Sequence, residues 1–257
     1  MIPKIIHYCW FGRGEKPELA MRCIESWREI CPDYQIVEWN EDTFDIYSNL
    51  YVKEAYEAKK YAFVTDYVRL YAMYHQGGIY MDTDVRVLKQ LDEFLEYQAF
   101  SGFESSEYVP TGIMASQQGD LTIKALLSYY TNRHFVKEDG SYDIRTNTSI
   151  ITEYFLEKGL VQNNQFQVID GFALYPNNYF CPELEKLEDE EYMKDTYTIH
   201  YFSGSWKSKA AIKRENSWWW KHLIVPLSRN SENIEKILGR PFVKFKKIVR
   251  DKMISEK

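Results

Sequence analysis

The sequence predicts an α/β domain built around a mainly parallel sheet. Three observations carry that expectation. Short apolar runs alternate with stretches of helical periodicity along the first 85 residues, the pattern of strands joined by helical crossovers. The pair Gly77-Gly78 stops a helical stretch and feeds straight into the apolar run Ile79-Tyr80-Met81. The chain has 257 residues, 45% of them hydrophobic and 16% aromatic, which is enough for one large domain with a substantial core.

In chain order, residues 4–10 read as an apolar-rich first strand. Residues 17–29 read as an amphipathic helix with Leu19, Ile24, Trp27 and the following Ile30 facing inward. Pro32 separates that helix from a second strand at 34–39. Helical segments around residues 51–75 lead to a third strand at 79–81. Strands alternating with helices in this way make a Rossmann-like sheet, whose ligands bind beyond the carboxyl ends of the strands. Trp10 and the segment Asp82-Thr83-Asp84 both fall at such ends. No internal repeat or low-complexity linker interrupts the chain.

The densest chemistry lies in Gly77-Gly-Ile-Tyr-Met-Asp-Thr-Asp-Val85. Side chains two apart in a strand point the same way, so Asp82 and Asp84 would offer two carboxylates to one hard cation, Mg²⁺ or Mn²⁺. Such a cation completes its shell with water and phosphate, and the matching partner is a nucleotide diphosphate. Taken alone, two aspartates at this spacing also occur as solvated turn residues. Upstream, Asp66 and Arg69 are three apart on an otherwise aromatic and aliphatic helix, so burial requires them to be paired. An intrahelical salt bridge is one reading, and contact of Arg69 with a phosphate and of Asp66 with a sugar is the other.

The remaining composition excludes several classes. A net charge of −6 argues against broad nucleic-acid binding, and no nucleic-acid partner is expected. Cys9, Cys23, Cys31 and Cys181 form no Cys-x-x-Cys pair, so reduced structural thiols are expected rather than a zinc cluster. The N-terminus lacks the parts of a signal peptide, and no run of apolar residues is long enough to span a bilayer, which leads to a cytoplasmic expectation.

Four ordered blocks resemble the family 32 glycosyltransferases with the sugar-binding Asp-x-Asp motif, related to the glucosylating domain of large clostridial toxins. They are Ile2-Pro-Lys-Ile-Ile-His-Tyr-Cys-Trp-Phe-Gly12; Ser26-Trp27 with Pro32, Tyr34 and Trp39-Asn40; Thr65-Asp66 through Val85; and Ile199-His-Tyr-Phe-Ser-Gly-Ser-Trp206. The resemblance implies a nucleotide-sugar transferase fold of the GT-A type. It implies that Trp10 stacks on the nucleobase, that Thr65, Asp66, Arg69, Tyr80 and Asp82 contact the donor, and that Asp84 binds the metal bridging the two phosphates. His200 would complete the metal shell, favouring Mn²⁺ over Mg²⁺, and Ser205 and Trp206 would donate to the β-phosphate. Toxin relatives carry no histidine at the position of His200. Thr111, Gly112 and Asn147 resemble sugar-subsite loops, and ordinary turn chemistry explains them as well.

The implied reaction is transfer of a hexose or N-acetylhexosamine from a nucleotide-diphosphate sugar, UDP-sugar favoured, to a glycan or lipid-linked glycan with retention of configuration. The implied setting is capsule, O-antigen or exopolysaccharide synthesis. The catalytic domain is expected over 1–234. From 235 to 257 the chain carries eight Lys or Arg against three Asp or Glu, with Phe242, Phe245, Val249 and Met253 near one helical face. This basic amphipathic segment reads either as a peripheral contact with the inner membrane face, with Trp218-Trp219-Trp220 at the interface, or as a terminal helix packed on the domain. Two other function classes stand beside the transferase. The apolar strand followed by Asp82-Thr83-Asp84 resembles the nucleophile motif of haloacid-dehalogenase-type phosphatases, although there it lies on the first strand. A non-catalytic nucleotide-sugar-binding protein is the other, and the joint presence of Asp66, Arg69, Asp82 and Asp84 argues against it.

Overall fold

β1 (Ile5–Cys9) is buried over its last four residues and pairs in parallel with β2 (Gln35–Trp39). These residues come from a computed structural model, which describes residues 1–109 and 112–203. Between the two strands runs α1 (Glu18–Ile30), whose buried residues are Ala20, Cys23, Ile24, Ser26 and Trp27. Leu19 and Ile30, expected inward, are only partly buried, and Ser26 turns in instead. The Ser26 hydroxyl donates to the Cys23 carbonyl at 2.6 Å and accepts from the Val87 N–H at 3.0 Å. A hydroxyl satisfied on both sides is as welcome in a core as an apolar group, and apolar periodicity alone cannot register it.

α2 (Leu50–Glu57) starts at Asn49, whose side chain accepts from the Val52 N–H. It leads into α3 (Tyr61–Gln76), which ends at Gly77. Gly77 and Gly78 have φ of 67° and 104°, and a Cβ on Gly78 would lie 2.7 Å from the Ile5 carbonyl oxygen. Only glycine lets α3 turn this tightly into β3 (Gly78–Met81) against β1. β3 pairs in parallel with β1, Ile6 opposite Ile79 and His7 opposite Tyr80.

After the short β4 (Val85–Val87) the chain forms β5 (Ala99–Gly102), β6 (Ile113–Ser116), α4 (Leu121–Ser128) and α5 (Asn147–Glu157). It continues through β7 (Gln167–Ile169), β8 (Phe172–Tyr175), α6 (Asn177–Phe180), α7 (Glu190–Met193) and β9 (Thr198–His200). The main sheet has seven strands in the order β2-β1-β3-β6-β5-β8-β7. Five of the seven run in one direction, and β6 and β7 run against them. The sheet is thus mixed but mostly parallel, and the α/β expectation holds. β4 leaves it to pair with β9 in a separate two-stranded sheet.

Both faces of the main sheet are covered. Tyr80 packs with Trp39, Val68 and Leu70 on the α3 side, whereas Ile79 and Met81 join Ile24 and Trp27 on the α1 side. This period-two division explains why every residue of β3 is buried. The four cysteines are free and buried, as their spacing predicted. Among the described residues, no helix is long and apolar enough to cross a membrane. Residues 1–203 make one compact unit.

Candidate functional site

β3 stops at Met81, and the two aspartates occupy the turn that follows. The Asp82 N–H donates to the Gly112 carbonyl and the Val85 N–H closes back onto the Asp82 carbonyl, at 2.8 and 3.0 Å. The expected reason for their convergence, alternation along a strand, is therefore replaced by a turn between β3 and β4. β4 then pairs with β9 so that Val85 lies opposite His200. That pairing delivers an imidazole to the aspartates. Ligand atoms of Asp82, Asp84 and His200 all lie within 4.8 Å of one another.

His200 Nε2 lies 3.2 Å from Asp84 Oδ1, and Asp84 Oδ2 accepts from the Ser203 N–H at 2.7 Å. Phe202 stacks on the imidazole with ring centroids 4.1 Å apart. His200 Nδ1 is buried without a hydrogen-bond partner among the described residues. Gly112 accounts for how closely the ring is approached, since a Cβ there would come 2.7 Å from Nδ1. Burial opposes charge on both partners, and their mutual hydrogen bond overrides it, holding Asp84 down at about 2 and His200 up at about 10.

Asp82 belongs to a second cluster. Its Oδ1 accepts from the Tyr80 hydroxyl at 2.8 Å and lies 3.2 Å from Arg69 Nη2, which is also 3.4 Å from Asp66 Oδ1. The Arg69 guanidinium sits 4.5 Å above the Tyr80 ring and its Nε donates to the Thr65 carbonyl at 3.3 Å. Arg69 is 5% exposed and Asp66 9%, so the pairing that burial demanded is present and reaches across to the aspartate turn. Burial raises Asp66 to about 6 and raises Asp82, against the pull of Arg69 on both; the Asp82 carboxylate further raises Asp66, and Asp84 further raises Asp82. One buried and one partly buried carboxylate share a single guanidinium, which leaves the site with surplus negative charge. A divalent cation beside Asp82 would relieve it.

Two carboxylates and an imidazole suit a divalent cation, and a nitrogen ligand suits Mn²⁺ better than Mg²⁺. Thr65 contributes through its carbonyl, because its hydroxyl is spent on the Ala62 carbonyl at 2.7 Å. Tyr80, 2% exposed, spends its hydroxyl on Asp82. Trp10 follows the end of β1, beside β3, and lines a cavity of about 230 Å³ with Arg13, Lys16, Glu38 and Asn40. Its indole N–H donates to the Gly14 carbonyl at 2.6 Å, which fixes the ring while leaving it partly exposed. Asn147 opens α5, donates to the Asp66 carbonyl at 3.3 Å, and has a buried Oδ1 with no partner among the described residues. Thr111, Ser205, Trp206, Trp218 to Trp220 and residues 235–257 lie outside the described residues.

Glu104 was missed by the sequence reading. It follows the end of β5, is half-buried, and its carboxyl is raised by burial and by Asp82, with His200 acting in the opposite sense. No motif surrounds it, and only the placement of β5 beside β6 brings it near the aspartate turn.

A family model described as "glycosyltransferase sugar-binding region containing DXD motif" matches residues 17–101, which include α1, α3 and the Asp82-Thr83-Asp84 turn. Inositol phosphoceramide mannosyltransferase 3 of Schizosaccharomyces pombe is 30% identical over 146 residues, covering 52% of this chain and 40% of that protein. An uncharacterized glycosyltransferase, L373, of Acanthamoeba polyphaga mimivirus is 25% identical over 222 residues, covering 80% of this chain and 84% of the viral protein. Mannosyl phosphorylinositol ceramide synthase CSH1 of Saccharomyces cerevisiae is 28% identical over 144 residues, covering 51% of this chain and 37% of its own length. The chain therefore spans about two fifths of the yeast relatives and most of the viral one. Residues 17–101 thus match the DXD-containing sugar-binding region of glycosyltransferases, and the aspartate turn falls inside that region, which sets the phosphatase reading aside.

Proposed function

We propose that the protein moves a hexose or N-acetylhexosamine from a nucleotide-diphosphate sugar to a glycan or lipid-linked glycan, in a metal-dependent reaction that retains configuration. The observation that carries the reading is the convergence of Asp82, Asp84 and His200 within 4.8 Å, with Arg69 bonded to the same Asp82. Asp84 and His200 would hold Mn²⁺ or Mg²⁺, with Asp82 turned toward both cation and sugar. A bound cation supplies charge neutralisation at the departing diphosphate.

The chain's own groups do the rest. Arg69, fixed by Asp66, Tyr80 and the Thr65 carbonyl, keeps Asp82 ionised and oriented, so the sugar meets a preset acceptor of hydrogen bonds. Asn147 Oδ1 is a further acceptor beside Asp66. Trp10 would carry the base, and Ser205 and Trp206 the β-phosphate. In the transfer, the bond from the anomeric carbon to the diphosphate oxygen breaks, the acceptor hydroxyl oxygen bonds to that carbon from the same face, and its proton passes to the departing phosphate.

UDP is the favoured carrier by family resemblance. The relatives named mannosyltransferases make GDP-mannose a donor worth including. We further place the catalytic domain at 1–234 and give 235–257 the role of a basic segment contacting the inner membrane face, in polysaccharide assembly. Equal flotation with liposomes of chains with and without 235–257 would remove that membrane role.

The test is nucleotide release from a panel of UDP- and GDP-sugars with Mn²⁺, Mg²⁺ or EDTA, for wild type and Asp84→Ala. Metal-dependent release from one donor, reduced about a hundredfold in the variant, is the expected result. Release that is indifferent to metal and to Asp84 would overturn the reading.

A further inference from the structure

A second concavity lies along α5, the helix that opens at Asn147. It measures about 430 Å³ and is lined by Glu107, Tyr108, Ser149, Glu153, Leu156 and Gln162, between the segment after β5 and the outer face of α5. Ser149, Glu153 and Leu156 recur at helical spacing on that face. The opposite wall is held in place: the Glu104 N–H donates to the Tyr108 carbonyl at 2.8 Å, and the Val109 N–H to Thr152 Oγ1 at 3.1 Å. The Gln162 amide donates to the Glu107 carbonyl at 2.5 Å. The groove is therefore preformed, and its walls need no ordering when a ligand enters.

Its position links it to the chemistry. Glu104, at the inner end of the segment, is electrostatically coupled to Asp82 and His200. α5 begins at Asn147, bonded to the Asp66 backbone, and runs outward to Leu156, roughly 14 Å along the helix axis. A ligand seated there would reach toward the reacting centre from one side and extend beyond a single sugar ring.

Its lining also selects the ligand. Tyr108 is 43% exposed and offers a ring for stacking on the apolar face of a sugar, with Leu156 beside it. Carboxylates, a hydroxyl and an amide surround them, the side chains that pair with sugar hydroxyls. Among the lining residues there is no lysine or arginine, and the neighbouring Arg145 is already paired with Glu153. With Arg145 engaged by Glu153, the lining offers a phosphate no free cation, and the Glu107 carboxylate repels it.

We propose that this groove is a distal acceptor subsite that takes a neutral, hydroxyl-rich sugar chain and rejects phosphorylated head groups. The proposal rests on the transferase reading above and deepens it by naming the acceptor class.

The test is calorimetric titration of the full chain with short linear neutral gluco-, manno-, galacto- and N-acetylgluco-oligosaccharides, and with inositol phosphate. A neutral oligosaccharide is expected to bind wild type. Tyr108→Ala should weaken it about tenfold, the equivalent of about 1.4 kcal/mol, and Tyr108→Phe, which keeps the ring, should stay within about threefold. Equal thermal melting of both variants and wild type checks that the fold is kept. Binding unaffected by Tyr108→Ala, no binding by any neutral oligosaccharide, or preferential binding of inositol phosphate would each overturn the proposal. Metal-dependent nucleotide release by wild type, measured in parallel without any acceptor, would leave the transferase reading standing when the groove fails.

Discussion

At the scale of single residues, His7 illustrates how completely surroundings can fix a proton. Its Nε2–H donates to the Gly77 carbonyl at 2.7 Å and its Nδ1 accepts from the Trp39 indole N–H at 3.1 Å. That arrangement permits one neutral tautomer, because a proton on Nδ1 would face the indole proton. Burial accordingly lowers the ring from 6.5 to about 4, partly offset by the Gly77 bond. A depressed folded value means that the unfolded chain binds the proton first. Stability from this residue is thus complete above pH 6.5 and lost as pH falls toward 4, on the order of 3 kcal/mol in total. The expected outcome is a His7 resonance that stays neutral through pH 5 by NMR, with the melting temperature falling over the same window. A ring that titrates near 6.5 in the folded protein would refute the assignment. Nothing in the sequence distinguished His7 from His75, His134 or His222. Its role depends on β1, β2 and the α3 terminus meeting at one point, which no local pattern encodes.

At the scale of elements, the stretch from α3 through the aspartate turn was the most legible part of the chain, for a physical reason. The spacing of Asp66 and Arg69 on one helix and the glycine stop before β3 are local constraints, and local constraints are written in contiguous residues. β6 and β9 are short strands with partners far away in sequence, β3 and β4, so their directions and neighbours follow from packing. The same stretch yields a sharp prediction. Gly78→Ala would set a Cβ 2.7 Å from the Ile5 carbonyl at a φ of 104°, combining backbone strain with a clash against backbone that cannot swing aside. Its cost should be about 3 kcal/mol, read as a lower urea midpoint at unchanged slope. An unchanged midpoint would mean that the α3–β3 turn relaxes freely and is not what seats β3 against β1.

At the scale of the whole molecule, the site joins distant parts of the chain. Asp82 and Asp84 come from the turn after β3, whereas His200 arrives only because β4 leaves the main sheet to pair with β9. Block resemblance located His200, but the contact itself was invisible without the sheet. A cation held by these three side chains would bridge the aspartate turn to the end of the compact unit, and binding only the folded state would stabilise all of it. With metal at about a hundred times its dissociation constant, the gain is about 2.7 kcal/mol. For a chain of this size that corresponds to a rise in Tm of roughly 5–10 °C. Mn²⁺ should give the rise, EDTA should reverse it, and Asp84→Asn, which keeps the shape but removes the charge, should abolish it. In that variant His200 also loses the partner that holds its proton, so the metal-free protein should melt somewhat lower than wild type. A full Mn²⁺-induced rise persisting in Asp84→Asn would place the cation elsewhere on the molecule and separate metal binding from the aspartate turn.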